Sequence, residues 1–238
     1  MGAMTDIRKL FGRGKEVEPY KRRNYLNALA RERLDDILLF SEGEGLMRLL
    51  PDLKNKRVLF FNDQRHKYIL NKIRLQEPTF LMNGLYCDNN RPESLTNAFT
   101  ILLDFDHLPF RNNHFDLIIC PLVLDTPRVS ATFIEKLSKK LKNGGRLILS
   151  LRHPQLEHLL FNQNPSETIG TDRLVSRYFQ MLKDCALYPD NMQEGIVDPT
   201  LKSFFMTENN SERYLEFRNV PLTLFFRAVR YQKTKETA

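Results

Sequence analysis

The chain has 238 residues, 42% of them hydrophobic, and carries 36 Lys and Arg against 29 Asp and Glu, a formal net charge of +7. That is apolar material for one substantial core and argues against two equal domains. No apolar run approaches the roughly 18 to 20 residues that cross a bilayer, and the charged N-terminus is not built as a secretory signal, so a soluble, cytoplasmic protein is expected.

Met1-Gly2-Ala3 ahead of Met4 has the pattern of a cloning scar, and Asp6 stands where a myristoylation signal would need Ser or Thr. Periodicity begins at about Tyr20, where Tyr25, Leu26, Leu29, Leu34, Ile37 and Leu38 recur at helical spacing up to Phe40. SEGEG at 41–45 is expected to break this helix, with a second short helix over Gly45 to Leu50 that Pro51 ends. Residues 1–50 are thus predicted as an N-terminal helical extension, 51–231 as the main domain and 232–238 as a tail.

Four short apolar runs follow, RVLFF at 57–61, TFLM at 79–82, TILLDF at 100–105 and FDLIIC at 115–120. Continuous rather than alternating apolarity predicts strands covered on both faces, as in a parallel sheet between helices. In TFIEKLSKKLKNGG, Phe133, Ile134, Leu137 and Leu141 form a buried helical stripe, and Gly144-Gly145 is expected to supply the left-handed helix stop. RLILSL at 146–151 reads as a fifth strand, Thr171 to Cys185 as a helix with Leu174, Tyr178, Met181 and Leu182 inward, a further strand runs toward Glu194, and PLTLFFRAVRY at 221–231 is the final strand. Between the last two, about Asp198 to Arg213, Phe204 and Phe205 show no clear period, which leaves a lid, a surface helix or a partly disordered segment open. Strand and helix in repetition predict a doubly wound α/β sheet.

Cys87, Cys120 and Cys185 are odd in number, widely spaced and without a CxxC pair, which predicts free, mostly buried thiols. The basic surplus suits an anionic partner, but Lys21, Arg22 and Arg23 form only a modest cluster and no nucleic-acid recognition module accompanies it. A generally basic surface is favoured over a nucleic-acid site.

Four stretches in order, LLDFDHLPFRNNHFDLIIC, LKNGGRLILSLRHP, LKDCALYPDNMQEGIVD and FRNVPLTLFFRAVR, resemble strands three to seven of the class I S-adenosylmethionine (SAM) methyltransferases. The closest resemblance is to the biotin-pathway malonyl-carrier-protein branch, whose N-terminal region starts with a phrase like Phe11-Gly12-Arg13. The resemblance covers about 57 to 231. It implies a Rossmann-like, mostly parallel seven-stranded sheet whose reversed last strand inserts between strands five and six.

The resemblance also implies where SAM would be met. The acidic position at the end of the first strand falls on Phe60, and the glycine positions of the following turn fall on Asn62, Gln64 and His66. Glycines there let the main chain approach the ligand and adopt torsions that a Cβ resists, so none of the four substitutes supplies the usual contact. The ribose position falls on Asn83, with Asp88 further on; a neutral amide lacks the charged, two-armed geometry of a carboxylate. Losing two charged contacts at roughly 1.5 to 3 kcal/mol each weakens a micromolar site by about two to four decades. Asp104 and Phe105 match the turn that reads the adenine, although Asp104 equally suits a turn cap, and Leu108-Pro109-Phe110 matches the adjoining wall. Cys120 ends strand four, where it would face the transferred methyl or simply be buried. Arg152, His153 and Tyr20 stand where substrate would be met. His153 and His158 are too poorly spaced for a metal site, and no metal is expected.

The expectation is a methyltransferase-like protein in which SAM binding is weak or absent, a binding, scaffolding or regulatory subunit beside a partner such as an active methyltransferase. The alternatives are an active SAM-dependent enzyme on a small or carrier-bound substrate and, third, a nucleic-acid-associated protein.

Overall fold

A computed structural model describes residues 34–62, 66–86, 100–103, 108–123, 129–156, 175–205 and 212–231. The chain runs α1 (Leu34–Leu49), β1 (Arg57–Asn62), α2 (Lys67–Arg74), β2 (Phe80–Tyr86), β3 (Thr100–Leu103), β4 (Phe115–Pro121), α3 (Ala131–Lys140), β5 (Leu141–Arg152), α4 (Val175–Asp184) and β6 (Leu187–Ile196). A 3₁₀ turn (Pro199–Leu201), α5 (Lys202–Phe205), α6 (Glu212–Phe217) and β7 (Pro221–Arg230) complete it.

The strands form one seven-stranded sheet in the order β3-β2-β1-β4-β5-β7-β6. β1 is parallel to β2 and β4, β2 to β3, and β4 to β5, while β7 is antiparallel to both β5 and β6. Alternate residues of each strand serve opposite faces, as the pleat requires. Leu59, Phe61, Ile118, Cys120, Leu147 and Leu149 pack with Phe133, Ile134 and Leu137 of α3 and with Tyr178 and Leu182 of α4. Val58, Phe60, Leu117, Ile119, Ile148 and Phe225 face the other way, against Leu46 and Leu49 of α1 and Ile69 and Ile73 of α2. This is the predicted three-layer α/β architecture.

The N-terminal helix departs from expectation. α1 runs unbroken through SEGEG, and Leu34, Ile37, Leu38, Ser41, Glu42, Gly45, Leu46 and Leu49 form one buried stripe. Helical glycines each cost about 1 kcal/mol relative to alanine, but Gly45 is required here by its close approach to the sheet. A Cβ on Gly45 would sit 2.1 Å from Phe225 Cζ, and one on Gly43 would sit 1.1 Å from the Tyr68 hydroxyl. Packing against the sheet overrides the local propensity. The upstream Tyr25, Leu26 and Leu29 lie outside the described residues.

Gly144-Gly145 does not stop α3. The helix, capped at its start by Ser130 Oγ accepting from Phe133 N at 3.1 Å, already ends at Lys140, and Leu141 is extended and pairs with Phe115. The glycines lie inside β5, where the register with β4 shifts between Phe115 and Leu117, and Gly144 has φ +78°. Burying Leu141 in the sheet core ends the helix before the glycines are reached.

The segment after β6 is packed. Asp198 Oδ1 accepts from Thr200 N at 2.8 Å to cap the 3₁₀ turn, and Leu201 and Phe204 join a cluster with Leu34, Leu38, Val123, Tyr214 and Phe217. Residues 206–211 are outside the description.

Candidate site at the carboxyl end of the sheet

In a parallel sheet the turns after the strands gather at the carboxyl end, and that is where an open α/β sheet places ligands. The residues that the sequence singles out there belong to β1, β2, β4 and β5. Phe60 pairs in register with Asn83 of β2 and with Ile119 of β4, so Phe60 and Asn83 sit side by side in the sheet. Phe60 is fully buried in the apolar layer beneath α1 and α2. Cys120 points to the opposite face, into the layer beneath α3, where burial pushes its thiol pKa well up. Phe60 and Cys120 are therefore not brought to one pocket.

Asn83 also differs from expectation. The TFLM run was to end the second strand just before it, but β2 continues through Gly84, Leu85 and Tyr86, which pair with Phe61, Asn62 and, on β3, Leu103. Asn83 is mid-strand, and Asp88 lies outside the described residues. Leu85 opposite Asn62 extends the pairing that local apolarity alone cut short. Gln64, Asp104, Phe105 and Tyr20, with the side chains of Asn62 and Asn83, lie outside the described residues.

His66, the last of the glycine positions, is buried and turned inward. Its Nε2 meets Glu42 Oε2 of α1 at 2.7 Å, and its ring stands edge-on to Phe60 with centroids 6.5 Å apart. Glu42 is itself fully buried. Its other oxygen accepts from the backbone N–H of Val123, just past β4, at 3.0 Å and from the hydroxyl of Ser150 on β5. Ser150 Oγ in turn accepts from Leu122 N at 3.1 Å. One carboxylate thus ties the carboxyl ends of β1, β4 and β5 to the N-terminal helix. A buried charge is tolerated only when hydrogen-bonded in this way.

At the end of β5, Arg152 pairs in register with Thr223. His153 is buried; its backbone N–H donates to Leu222 O at 2.9 Å and its Nδ1 accepts from Gln155 N at 3.1 Å. The neutral ring therefore carries its proton on Nε2, which faces Glu194 Oε1 at 3.3 Å without the alignment of a hydrogen bond. Burial lowers the His153 pKa, and Glu194 opposes that shift. A cleft beside this corner is lined by Phe40, Glu44 and Arg48 of α1 and by Gln193, Glu194 and Thr200. Among the described residues no group of His, Cys, Asp and Glu is placed to hold a metal ion, and no helix is long and apolar enough to cross a membrane.

The comparisons with known proteins converge on the fold. Residues 86–149 match the methyltransferase domain family, a match carried by the segment from the end of β2 into β5. A structure described as an S-adenosylmethionine-dependent methyltransferase from Listeria monocytogenes superposes with a TM-score of 0.61 at 16% identity, covering 82% of this chain and 98% of that one. One from Mesorhizobium loti gives 0.56 at 14%, covering 80% and 98%. The chain has the Rossmann-like fold of the methyltransferases. A chain from the Haloferax volcanii complex between the Trm112 methyltransferase activator and a methyltransferase gives 0.53 at 17%, covering 87% and 95%. No curated protein matches the sequence.

Within this methyltransferase fold, the residue that sequence reasoning missed is Glu42. The signal was present: Glu42 falls on the same helical stripe as Leu38, Leu46 and Leu49, so a continuous helix would have placed a carboxylate in the core. Reading SEGEG as a break removed it from the interior.

Proposed function

We propose that this protein is a methyltransferase-fold subunit in which SAM binding is lost or severely weakened, and that it acts by binding or regulating a protein partner. The carrying observation is at β1. Phe60, at the acidic position, is fully buried and offers no acceptor, while His66, at a glycine position, is held in the core by Glu42. Neither Phe60 nor His66 offers the contact that the resemblance implies at its position, which supports weakened binding. The fold supports many activities, so the site and not the scaffold decides. A protein partner is supported by the Haloferax volcanii relative, which was solved with an activator subunit.

One observation favours a second reading. β2 runs on through Asn83 to Tyr86, so Asn83 is mid-strand, and the next carboxylate in the sequence is Asp88, the residue type that holds a ribose diol. On that reading the chain is an active SAM-dependent enzyme on a small or carrier-bound substrate.

Thermal unfolding with SAM and S-adenosylhomocysteine separates the two. The subunit reading expects nearly no stabilisation at millimolar ligand, whereas a ligand present at a hundred times its dissociation constant adds about 2.7 kcal/mol. A clear shift removed by Asp88→Asn or Asp104→Ala overturns the first reading in favour of the second.

A further inference from the structure

The opposite, amino-terminal end of the sheet holds a separate cluster. Arg57 opens β1, and its guanidinium lies over the Phe80 ring, 4.5 Å from the centroid. Its Nη2 meets His114 Nε2 at 2.6 Å, while Arg111 Nε donates to His114 Nδ1 at 2.9 Å. A neutral imidazole has one lone-pair nitrogen and one N–H, so it accepts from only one of these guanidinium groups. The other contact sets donor against donor, and a protonated ring accepts from neither. Arg57 Nε adds a further donor that is buried without a partner. The cluster is short of acceptors.

Its surroundings deepen that shortage. The carboxylate facing the cluster, Asp116 on β4, already accepts from Arg57 N at 2.8 Å and from Lys142 Nζ of β5 at 2.8 Å. Lys56, at the entry to β1, acts on the same carboxylate. His114 is held below its ordinary pKa by burial first, then by Arg57, Arg111 and Lys142, against the opposing pull of Asp116. Arginine forks match the paired oxygens of phosphate and sulfate, each of which supplies several acceptors at once.

We propose that Arg57, Arg111 and His114 form a binding site for a phosphate-type oxyanion, which supplies the acceptors that the imidazole cannot. With the anion in place both guanidinium groups donate to it, and His114 turns from a contested acceptor into a third donor on protonation. The site lies at the far end of the sheet from the methyltransferase-type site and is independent of whether SAM binds. Two sources carry the chemistry, a free or terminal phosphate group and the phosphodiester backbone of a nucleic acid, the latter in keeping with the net charge of +7.

The test is the imidazole titration of His114, followed by NMR in chloride and in sulfate at equal ionic strength. Sulfate keeps its charge across the titration. The expected result is a saturable rise in the His114 pKa of about one unit, equivalent to a tenfold preference of sulfate for the protonated ring, with the His153 titration unmoved. Arg111→Gln, at an exposed position, should weaken the sulfate response about tenfold or more, and Arg111→Lys should fall between. Replacing sulfate by inorganic phosphate and then by a short single-stranded oligonucleotide distinguishes the sources: a salt-sensitive response to the oligonucleotide assigns the backbone, and a response to phosphate alone assigns the free group. His114 titrating identically in chloride and sulfate, or Arg111→Gln responding as the parent protein does, overturns the proposal.

Discussion

At the carboxyl end of the sheet, the Glu42 carboxylate gathers donors from three elements, whereas at the amino end two guanidinium groups converge on one imidazole that can satisfy only one of them. The first cluster is sealed and balanced. The second is partly open and donor-rich. In this fold the carboxyl end is where ligands are ordinarily met, yet here its buried polar groups fasten the N-terminal helix to the strand ends. Buried polar atoms at the strand ends are satisfied internally around Glu42, so ligand-binding capacity is better sought where donors remain in excess.

Removing the acceptor that seals the carboxyl end should destabilise the protein most. Glu42→Ala leaves the Val123 N–H, the Ser150 hydroxyl and His66 without their shared partner, and a buried donor left unsatisfied costs about 1–3 kcal/mol. The expected loss of unfolding free energy in urea is about 3–5 kcal/mol, less than the sum of three independent bonds because they share one acceptor. A loss under about 1 kcal/mol would show that the node fastens nothing.

A smaller effect is expected from the helix that this node holds down. Gly45→Ala places a methyl 2.1 Å from the ring of Phe225, a fully buried side chain with little room to move, so about 1–3 kcal/mol of overpacking is expected by the same measurement. Gly43→Ala meets only the far end of the partly exposed Tyr68, whose ring can swing outward, and should cost less. The order of the two is the check. Gly43→Ala costing more than Gly45→Ala would mean that α1 is held by its Tyr68 contact and not by the sheet.

Most of the fold was legible because strands buried on both faces are continuous apolar runs, a signal that survives without glycines or charges at the site. RVLFF, FDLIIC and RLILSL announced β1, β4 and β5, and β7 fell between β5 and β6 as the resemblance implied. What was not legible depended on partners distant in sequence. SEGEG looks like a break until Phe225 is seen to need Gly45, and Glu42 looks solvent-facing until Val123, Ser150 and His66 surround it. The end of β2 was misplaced for the same reason, since NGLY is weakly apolar and is drawn into the sheet by β1 on one side and β3 on the other. The candidate site was the less legible part, because its meaning lies in which side chains turn inward, and chain order does not record that.

The smallest expected effect sharpens the comparison through its two histidines. Both His153 at the carboxyl end and His114 at the amino end are held below their ordinary pKa, with burial the largest cause in each. For a histidine whose folded-state pKa is depressed, the unfolded chain binds the proton more readily. Its contribution to stability is therefore fully present above the unfolded value near 6.5 and is lost as pH falls from there through the folded value. His153 should dominate, because it is buried whereas His114 is only partly buried. Urea unfolding at about pH 7.5 and pH 5.5 should show a lower stability at the acid value attributable to it, which His153→Asn removes. Glu194→Gln takes away the one carboxylate that opposes the shift, so the acid-side decline should steepen. If Glu194→Gln instead flattens it, the ion pair outweighs burial at this corner, and the carboxyl end is less sealed than the Glu42 node makes it.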